Sequence, residues 1–389
     1  MFLINQFGLG GSERQLYLFL KHADRQVFEC HVLVFNPSPN LVYDDLAQKL
    51  GAQVWHVPDS CQRVERRPGY LLRFFRELDP DVVHSWSFHD NAYAGLVGWL
   101  TRVPVRIGSL RDSFYSAEVQ GLPAIYRSLA LYSVSRLVVN SNDIRDELVA
   151  AHYPAARILV VANGVEAELR DESCPVAAAD LSALGVQPGQ RVVGSVGNLR
   201  SKKNHLMFVR GMAQVLQHIP EAFGLVVGQP MASEPDLPAQ LRAEIRRLGV
   251  EGRVILAGFR SDVPALMRRM EVFCLTSRHE GMPNVVLEAM AAARPVVATR
   301  VAGVRGLVHD GVNGLLVDAD DVEGFAAAVE HLLNNPALAR KMGEAGREMV
   351  ERQYSCEQAA RSLSSLYCDG LAAKGWRAPL APIRPCADR

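Results

Sequence analysis

The chain has 389 residues, 49% hydrophobic and 22% charged, and its 42 basic side chains balance 42 acidic ones. That length exceeds the ~100–200 residues of one ordinary domain and predicts two, and the composition excludes disordered and fibrous classes. The zero net charge removes any global electrostatic case for nucleic acid, so the expected partner is a small molecule.

Met1 lies almost inside the first predicted strand, an abrupt beginning. The opening MFLINQFGLGG has neither the basic region nor the apolar core of a signal peptide, and no apolar run approaches the ~18 residues of a spanning helix. The seven cysteines (Cys30, Cys61, Cys174, Cys274, Cys356, Cys368, Cys386) are scattered and never form a CxxC pair. They fit a reducing compartment better than a zinc site or disulfide framework. A cytoplasmic protein is expected, soluble or peripheral at the inner face of the membrane.

β-branched runs alternate with helical patterns: CHVLVF (30–35), DVVHSW (81–86), VPVRIGSL (103–110), RLVVNS (136–141) and RILVVAN (157–163). Such alternation predicts βαβ units and a parallel sheet. After Val165 a polar, Pro- and Gly-containing stretch reads as a linker. The alternation then resumes with RVVGSVG (191–197), GLVVG (224–228), RVILAGF (253–259), VFCLTS (272–277), RPVVATR (294–300) and GLLVD (314–318). The expected class is α/β, with two doubly wound Rossmann-like domains facing a cleft between them. The predicted boundaries are 1–168 for the first domain, 169–190 for the linker and 191–354 for the second. A helical segment over 355–375, open to a return to the first domain, and a proline-rich flexible tail over 376–389 complete the chain.

Ligands of open parallel sheets bind beyond the carboxyl ends of the strands. The strand VFCLTS is followed by the turn RHEGMP and the helical pattern NVVLEAMAAA. Gly281 lets backbone approach a ligand, Pro283 is tolerated where a helix begins, and Asn284 opens a helix whose N–H groups attract phosphate. Glu280 precedes this helix and Glu288 lies about one turn inside it. A carboxylate is repelled by a diphosphate but makes charge-assisted hydrogen bonds to vicinal hydroxyls, so Glu280 suits a sugar and Glu288 a ribose.

With two glutamates separated by seven residues, SRHEGMPNVVLEAMAAARPVVAT resembles the corresponding segment of the retaining glycosyltransferase family 4 (group 1 glycosyltransferases, GT-B fold), a group that includes glycogen-synthase-like and mannosyltransferase-like enzymes. The resemblance spans roughly residues 1–370 and implies acceptor binding by the first domain and nucleotide-sugar binding by the second. It implies that Glu280 contacts the donor hexose and Glu288 the ribose, with Gly281, Met282, Pro283 and Asn284 beside the donor diphosphate. In GSVGNLRSKKNH, Lys203 matches the family's diphosphate lysine, whereas Asn198 stands where an arginine is usual. Arg200 and Lys202 are the nearby candidates to supply the missing charge. FGLGGSERQL resembles the family's glycine-rich loop, with Gly10 and Gly11 approaching the diphosphate. Glu13 occupies the third glycine position of a GxGxxG pattern, which weakens a nicotinamide reading.

In DVVHSWSFHDNAYA, His89 aligns with the family's active-site histidine and His84 is a second candidate. Phe259 and Arg260 fall where the family seats the nucleoside base, although Phe259 also suits an ordinary core. Asn140 with Ser141 and Asn163 with Gly164 read as helix caps and turns. The arginines Arg63, Arg66, Arg67, Arg73 and Arg76 read first as a solvated face and second as a lipid-headgroup contact.

The resemblance implies a retaining hexosyltransferase without cofactor or metal. Its donor would be a nucleotide sugar, UDP by family prior, and its acceptor a sugar or lipid-linked sugar in cell-surface polysaccharide or glycolipid biosynthesis. His89, Glu280 and Lys203 would be catalytic. No nucleic acid partner is expected, and peripheral membrane contact would run through the N-terminal domain. Two alternatives share the architecture: a nucleotide-sugar 2-epimerase, which needs no acceptor, and a non-catalytic nucleotide-sugar-binding protein.

Overall fold

A computed structural model describes residues 1–8, 10–37, 42–63, 65–166 and 181–375. Two compact units emerge: Met1–Gly164 together with the chain from Cys356, and Val165–Ser355. Of the expected linker, 169–180 lies outside the described residues, as does the expected tail 376–389; within 181–190, Ser182–Leu184 form a single 3-10 turn.

The first unit holds a seven-stranded sheet of β1 (Phe2–Ile4), β2 (His31–Val34), β3 (Gln53–His56), β4 (Val82–Ser85), β5 (Val105–Leu110), β6 (Arg136–Val139) and β7 (Ile158–Val160). Its helices are α1 (Gly11–His22), α2 (Val42–Lys49), α3 (Arg67–Leu78), α4 (Asn91–Leu100), α5 (Ala117–Gln120), α6 (Ala124–Tyr132) and α7 (Asn142–Ala150). The strand order is β3-β2-β1-β4-β5-β6-β7, every pairing is parallel, and the order reverses between β1 and β4.

The second unit contains β8 (Arg191–Val196), β9 (Ala222–Val227), β10 (Val254–Gly258), β11 (Val272–Leu275), β12 (Val296–Thr299) and β13 (Gly314–Val317). Around them lie α8 (His205–His218), α9 (Leu237–Arg247), α10 (Val263–Arg268), α11 (Asn284–Ala291), α12 (Val322–Asn334) and α13 (Pro336–Gln353). The order β10-β9-β8-β11-β12-β13 is again all parallel and reverses between β8 and β11. Central strands with helices on both faces read as continuous apolar runs, and all six residues of β9, AFGLVV, are buried.

A final helix, α14 (Cys356–Ala372), packs in the first unit. Its Tyr367 is buried among Phe2, Phe19 and Phe28 and lies 2.7 Å from Nδ1 of His84, while Ser109 Oγ lies 2.9 Å from Nε2. His84 is fully buried, and burial first, then Arg111, holds its pKa well below the ordinary value. It is therefore a neutral hydrogen-bonding part of the core. Tight spacing also explains Gly164, where a Cβ would stand 2.6 Å from the Cys356 Cα.

Candidate functional site

The residues singled out in each unit leave the sheet where its strand order reverses. In the second unit the Lys203 loop follows β8 and the Glu280 loop follows β11, the two strands that flank the reversal. In the first, the Gly10–Gly11 loop follows β1, and His89 follows β4. Adjacent strands at such a point send their connections to opposite faces, which opens a crevice at their carboxyl ends.

Five contacts brace the two loops of the second unit. Thr276 Oγ1 donates to the carbonyls of Lys203 and Asn204, both at 3.1 Å, and the Arg278 amide donates to the Lys202 carbonyl at 2.8 Å. Asp320 accepts from Arg278 Nη2 at 2.7 Å and from Asn204 Nδ2 at 2.8 Å. Asn204 adopts the left-handed φ of 50° at the N-cap of α8, a conformation that asparagine tolerates better than most residues. Within this frame Lys203 Nζ lies 2.6 Å from Glu280 Oε1, and Ser277 Oγ donates to the same oxygen at 2.6 Å. Glu280 is 7% exposed, so the ion pair is desolvated on the carboxylate side. The contact fixes both ends of the pair, with the lysine ammonium as a compact donor.

Pro283 stands at the N-cap of α11 with φ −74° and ψ 107°, outside the helical region, and Asn284 is the first helical residue. Gly281 is buried and Met282 half-buried in the turn before it, and the first helical turn, with its N–H groups, begins where this loop ends. Glu288 is buried at 6% exposure one turn along.

Two glycines that sequence reasoning passed over seat these loops. A Cβ on Gly303, whose φ is +75°, would lie 1.9 Å from the Gly281 carbonyl oxygen, and one on Gly228 would lie 1.9 Å from that of Gly197. Their trace in the sequence is a glycine at the end of a predicted strand or just beyond it, a signal shared with ordinary turns.

Arg200 is directed to Glu234, with Nε 4.0 Å from Oε1. Glu234 also accepts from the Ser201 amide at 2.7 Å and from its hydroxyl, and these bonds lead in holding its pKa below the ordinary value. His205, at the first position of α8, is 3% exposed beside the Gly197 and Asn198 backbone, and no well-aligned hydrogen bond reaches either ring nitrogen. Burial, then the Lys203 charge, lowers its pKa to about 4, so the imidazole is neutral.

At the end of β10, Gly258 has φ +69°, and Phe259 just after it is 55% exposed. Its phenyl ring is thus a surface group at a strand end, and the core alternative is set aside. Arg260 is held by Asp262 through two bonds at 2.8 and 2.7 Å.

In the first unit Gly10 is the N-cap of α1, in extended backbone, and the space a Cβ would need is filled by the Glu13 carboxylate, 2.1 Å away. Gly11 begins the helix. Burial raises the Glu13 pKa against the opposing charge of Arg111, whose guanidinium lies 4.0 Å above the Trp86 ring. His89 is exposed on the 3-10 turn Phe88–Asp90, and its carbonyl accepts from the Tyr126 hydroxyl. The neighbouring Asp90 carboxyl is 2% exposed, with one oxygen unpartnered, and burial pushes its pKa up to about 7. Sequence reading missed Asp90 because a lone aspartate has no motif. Of the arginines once grouped as one basic stretch, Arg67 donates to Asn36 at 2.7 Å and covers the Phe35 ring, and Arg66 donates to the Ser60 carbonyl at 3.2 Å.

Among the described residues, no group of three or more His, Cys, Asp or Glu side chains is placed to hold a metal ion, and no helix is long and apolar enough to cross a membrane.

Two parallel doubly wound sheets, each with a loop pair at its reversal point, define the GT-B class. The model of glycosyltransferase family 4 matches residues 9–169, and that of the group 1 glycosyl transferases matches residues 190–335. The chain belongs to the group 1 glycosyltransferases. It is 33% identical over 199 residues to the lipopolysaccharide core biosynthesis glycosyltransferase LpsE of Rhizobium meliloti (strain 1021), an alignment spanning 51% of this chain and about half (55%) of the relative's length. Identity is 23% to the UDP-Gal:alpha-D-GlcNAc-diphosphoundecaprenol alpha-1,3-galactosyltransferase of Escherichia coli, over 82% of this chain and 84% of the relative. The fold matches the crystal structure of Anabaena HepE in complex with UDP and glucose, with a TM-score of 0.83 and 22% identity over 95% of this chain and 99% of that one.

Proposed function

We propose that the protein is a retaining, metal-independent glycosyltransferase. In this reading it moves a hexosyl group from a nucleotide sugar, with UDP as the carrier, to a sugar or lipid-linked sugar acceptor of cell-surface polysaccharide or glycolipid biosynthesis. The observation that carries the reading is the Lys203–Glu280 pair, 2.6 Å across, in loops braced at the carboxyl ends of β8 and β11 beside the N-terminus of α11. The E. coli relative's name specifies a UDP-sugar and a diphosphoundecaprenol acceptor, and the HepE structure contains UDP and glucose; both support a UDP donor.

Transfer forms a bond from an acceptor oxygen to the anomeric carbon and breaks the bond from that carbon to the diphosphate. Charge builds on the departing phosphate. Lys203 and the α11 amides, with Gly281 and Asn284 at their edge, are placed to take it up, and fixed donors of this kind cost no reorganisation as the charge develops. A lysine and a helix terminus do here what a divalent cation does elsewhere. Glu280, held by Lys203 and Ser277, orients hexose hydroxyls, while Glu288 takes the ribose hydroxyls and Phe259 with Arg260 flanks the base. The leaving phosphate accepts the acceptor's proton on the face of attack, which retains configuration. Arg200, drawn to Glu234, gives the diphosphate less help than its charge suggests, and Lys202 is the remaining neighbour for the position of Asn198.

The test is UDP release and product linkage, followed with a panel of UDP-hexoses and membrane-extracted glycolipid acceptors. Acceptor-dependent release with an axial donor linkage preserved in the product is expected. An inverted linkage, or donor isomerised without acceptor, overturns the reading.

A further inference from the structure

We propose that the outer face of α4 and α6 docks onto an anionic lipid surface. On α4, Leu96, Trp99 and Leu100 are 40%, 65% and 53% exposed; on α6, Ile125, Leu129 and Tyr132 are 75%, 37% and 50% exposed. The spacings i, i+3, i+4 and i, i+4, i+7 make each set one stripe. A helix on the outside of an α/β unit turns polar side chains outward, yet here the outward stripes are apolar and α4, NAYAGLVGWL, carries no charge at all. The two helices approach closely at Gly95, where a Cβ would stand 2.0 Å from Ser133 Oγ. An open groove of about 350 Å³ between the stripes is lined by Leu96, Ile125, Ser128, Leu129, Tyr132 and Ser133.

Charge identifies the occupant. In a chain whose formal charges cancel, residues 91–142 hold five arginines and no lysine against two acidic side chains, Asp112 and Glu118. Arg102 and Arg136 are exposed, Arg127 is half-buried, and Arg106 packs beneath α4 at Gly98 with its Nε buried. Arg106 donates to the Val103 carbonyl at 2.9 Å, Arg127 to those of Gln120 and Leu122 at 2.7 and 2.8 Å, and Arg136 to that of Ala156. Backbone carbonyls orient these guanidinium groups but leave their charge in place. Trp99 and Tyr132, rings with an apolar body and a polar edge, lie at the carboxyl ends of their helices near Arg102 and Arg136 in sequence. Apolar side chains, interfacial aromatics and an excess of arginine over acidic side chains together match the boundary of an anionic bilayer.

A second copy of the chain fits less well. A two-fold contact would set the same arginines against themselves, and six apolar side chains fall short of the ~20–30 residues a side of a stable interface. The side chains of this surface are a different set from the arginines of 63–76, three of which lie on α3 (Arg67–Leu78). Its assignment does not depend on the transferase reading, since binding to vesicles requires no sugar. If both hold, the face would bring the enzyme to a lipid-linked acceptor.

The test is flotation of the full chain with vesicles of phosphatidylcholine, alone or mixed with phosphatidylglycerol. Two double variants are compared with wild type, Trp99→Ser with Ile125→Ser and Arg102→Glu with Arg136→Glu. All four positions are exposed, so unchanged thermal melts verify folding. The wild type is expected to float with the anionic vesicles, and each double variant to bind about tenfold more weakly. A wild type that stays behind, or variants that float equally, overturns the proposal. So does light scattering that shows a dimer dissolved by Trp99→Ser with Ile125→Ser in a protein that ignores vesicles, because the face would then belong to a second copy.

Discussion

Lys203 Nζ and Glu280 Oε1 lie 2.6 Å apart, joining the loop after β8 to the loop after β11 at the point where the second sheet reverses its strand order. The pair is both a brace and, in the proposed mechanism, the link between the leaving diphosphate and the sugar.

Lys203→Met should lower kcat about 100-fold or more, because a fixed cation at the developing phosphate charge is lost. It should also cost about 1–3 kcal/mol of stability in chemical denaturation, since the buried Glu280 carboxylate loses its cationic donor and keeps the neutral Ser277 hydroxyl. Adding Glu280→Gln should recover part of that stability and none of the activity. A single variant with normal kcat would remove Lys203 from the mechanism.

Gly303→Ala places a methyl group 1.9 Å from the Gly281 carbonyl, in backbone with φ +75°. Donor affinity by calorimetry should fall tenfold or more, with a stability loss of about 2–4 kcal/mol. Gly51→Ala, also at positive φ but in open space, is the comparison: it should cost about 1 kcal/mol and leave donor affinity unchanged.

Asp90 and His205 give opposite pH dependences. With its folded pKa raised from 3.8 to about 7, Asp90 contributes stability that is complete below pH 3.8 and lost as pH rises to about 7. With its folded pKa lowered from 6.5 to about 4, His205 contributes stability present above pH 6.5 and lost as pH falls to about 4. Denaturation across this range should show that Asp90→Asn removes the falling component and His205→Gln the rising one. Each component is at most about 3–4 kcal/mol. Unchanged pH slopes in both variants would contradict the burial argument.

On the proposed mechanism chelation should leave turnover unchanged, because Lys203 and the α11 N-terminus would supply the positive field at the leaving group. An initial rate that collapses in EDTA and returns with a divalent cation would contradict that assignment.

The features legible in sequence were those carried by local order. The alternation of strands and helices placed β8 through β13, and the turn before NVVLEAMA placed Glu280, Pro283 and Asn284 at a helix start. β3, QVWH, escaped because it is a short edge strand with half-buried and exposed positions and so lacks a core strand's apolar run. The braces were invisible for a different reason. Asn204 meets Asp320 across 116 positions, and His84 meets Tyr367 across 283, and no spacing rule joins such residues before the sheets bring them together. Arg200 illustrates the converse: its charge was readable, but its place 4.0 Å from Glu234 was not.

The central claim, that the second unit's loops hold a nucleotide sugar with Glu288 on the ribose, is tested most directly by thermal shift with a panel of nucleotide sugars on wild type and Glu288→Ala. At a ligand concentration 100-fold above Kd the account predicts about 2.7 kcal/mol of stabilisation, a rise of several degrees in Tm, for the wild type with a UDP-sugar. In Glu288→Ala most of that rise should vanish. A wild type whose Tm responds to no nucleotide sugar would contradict the account.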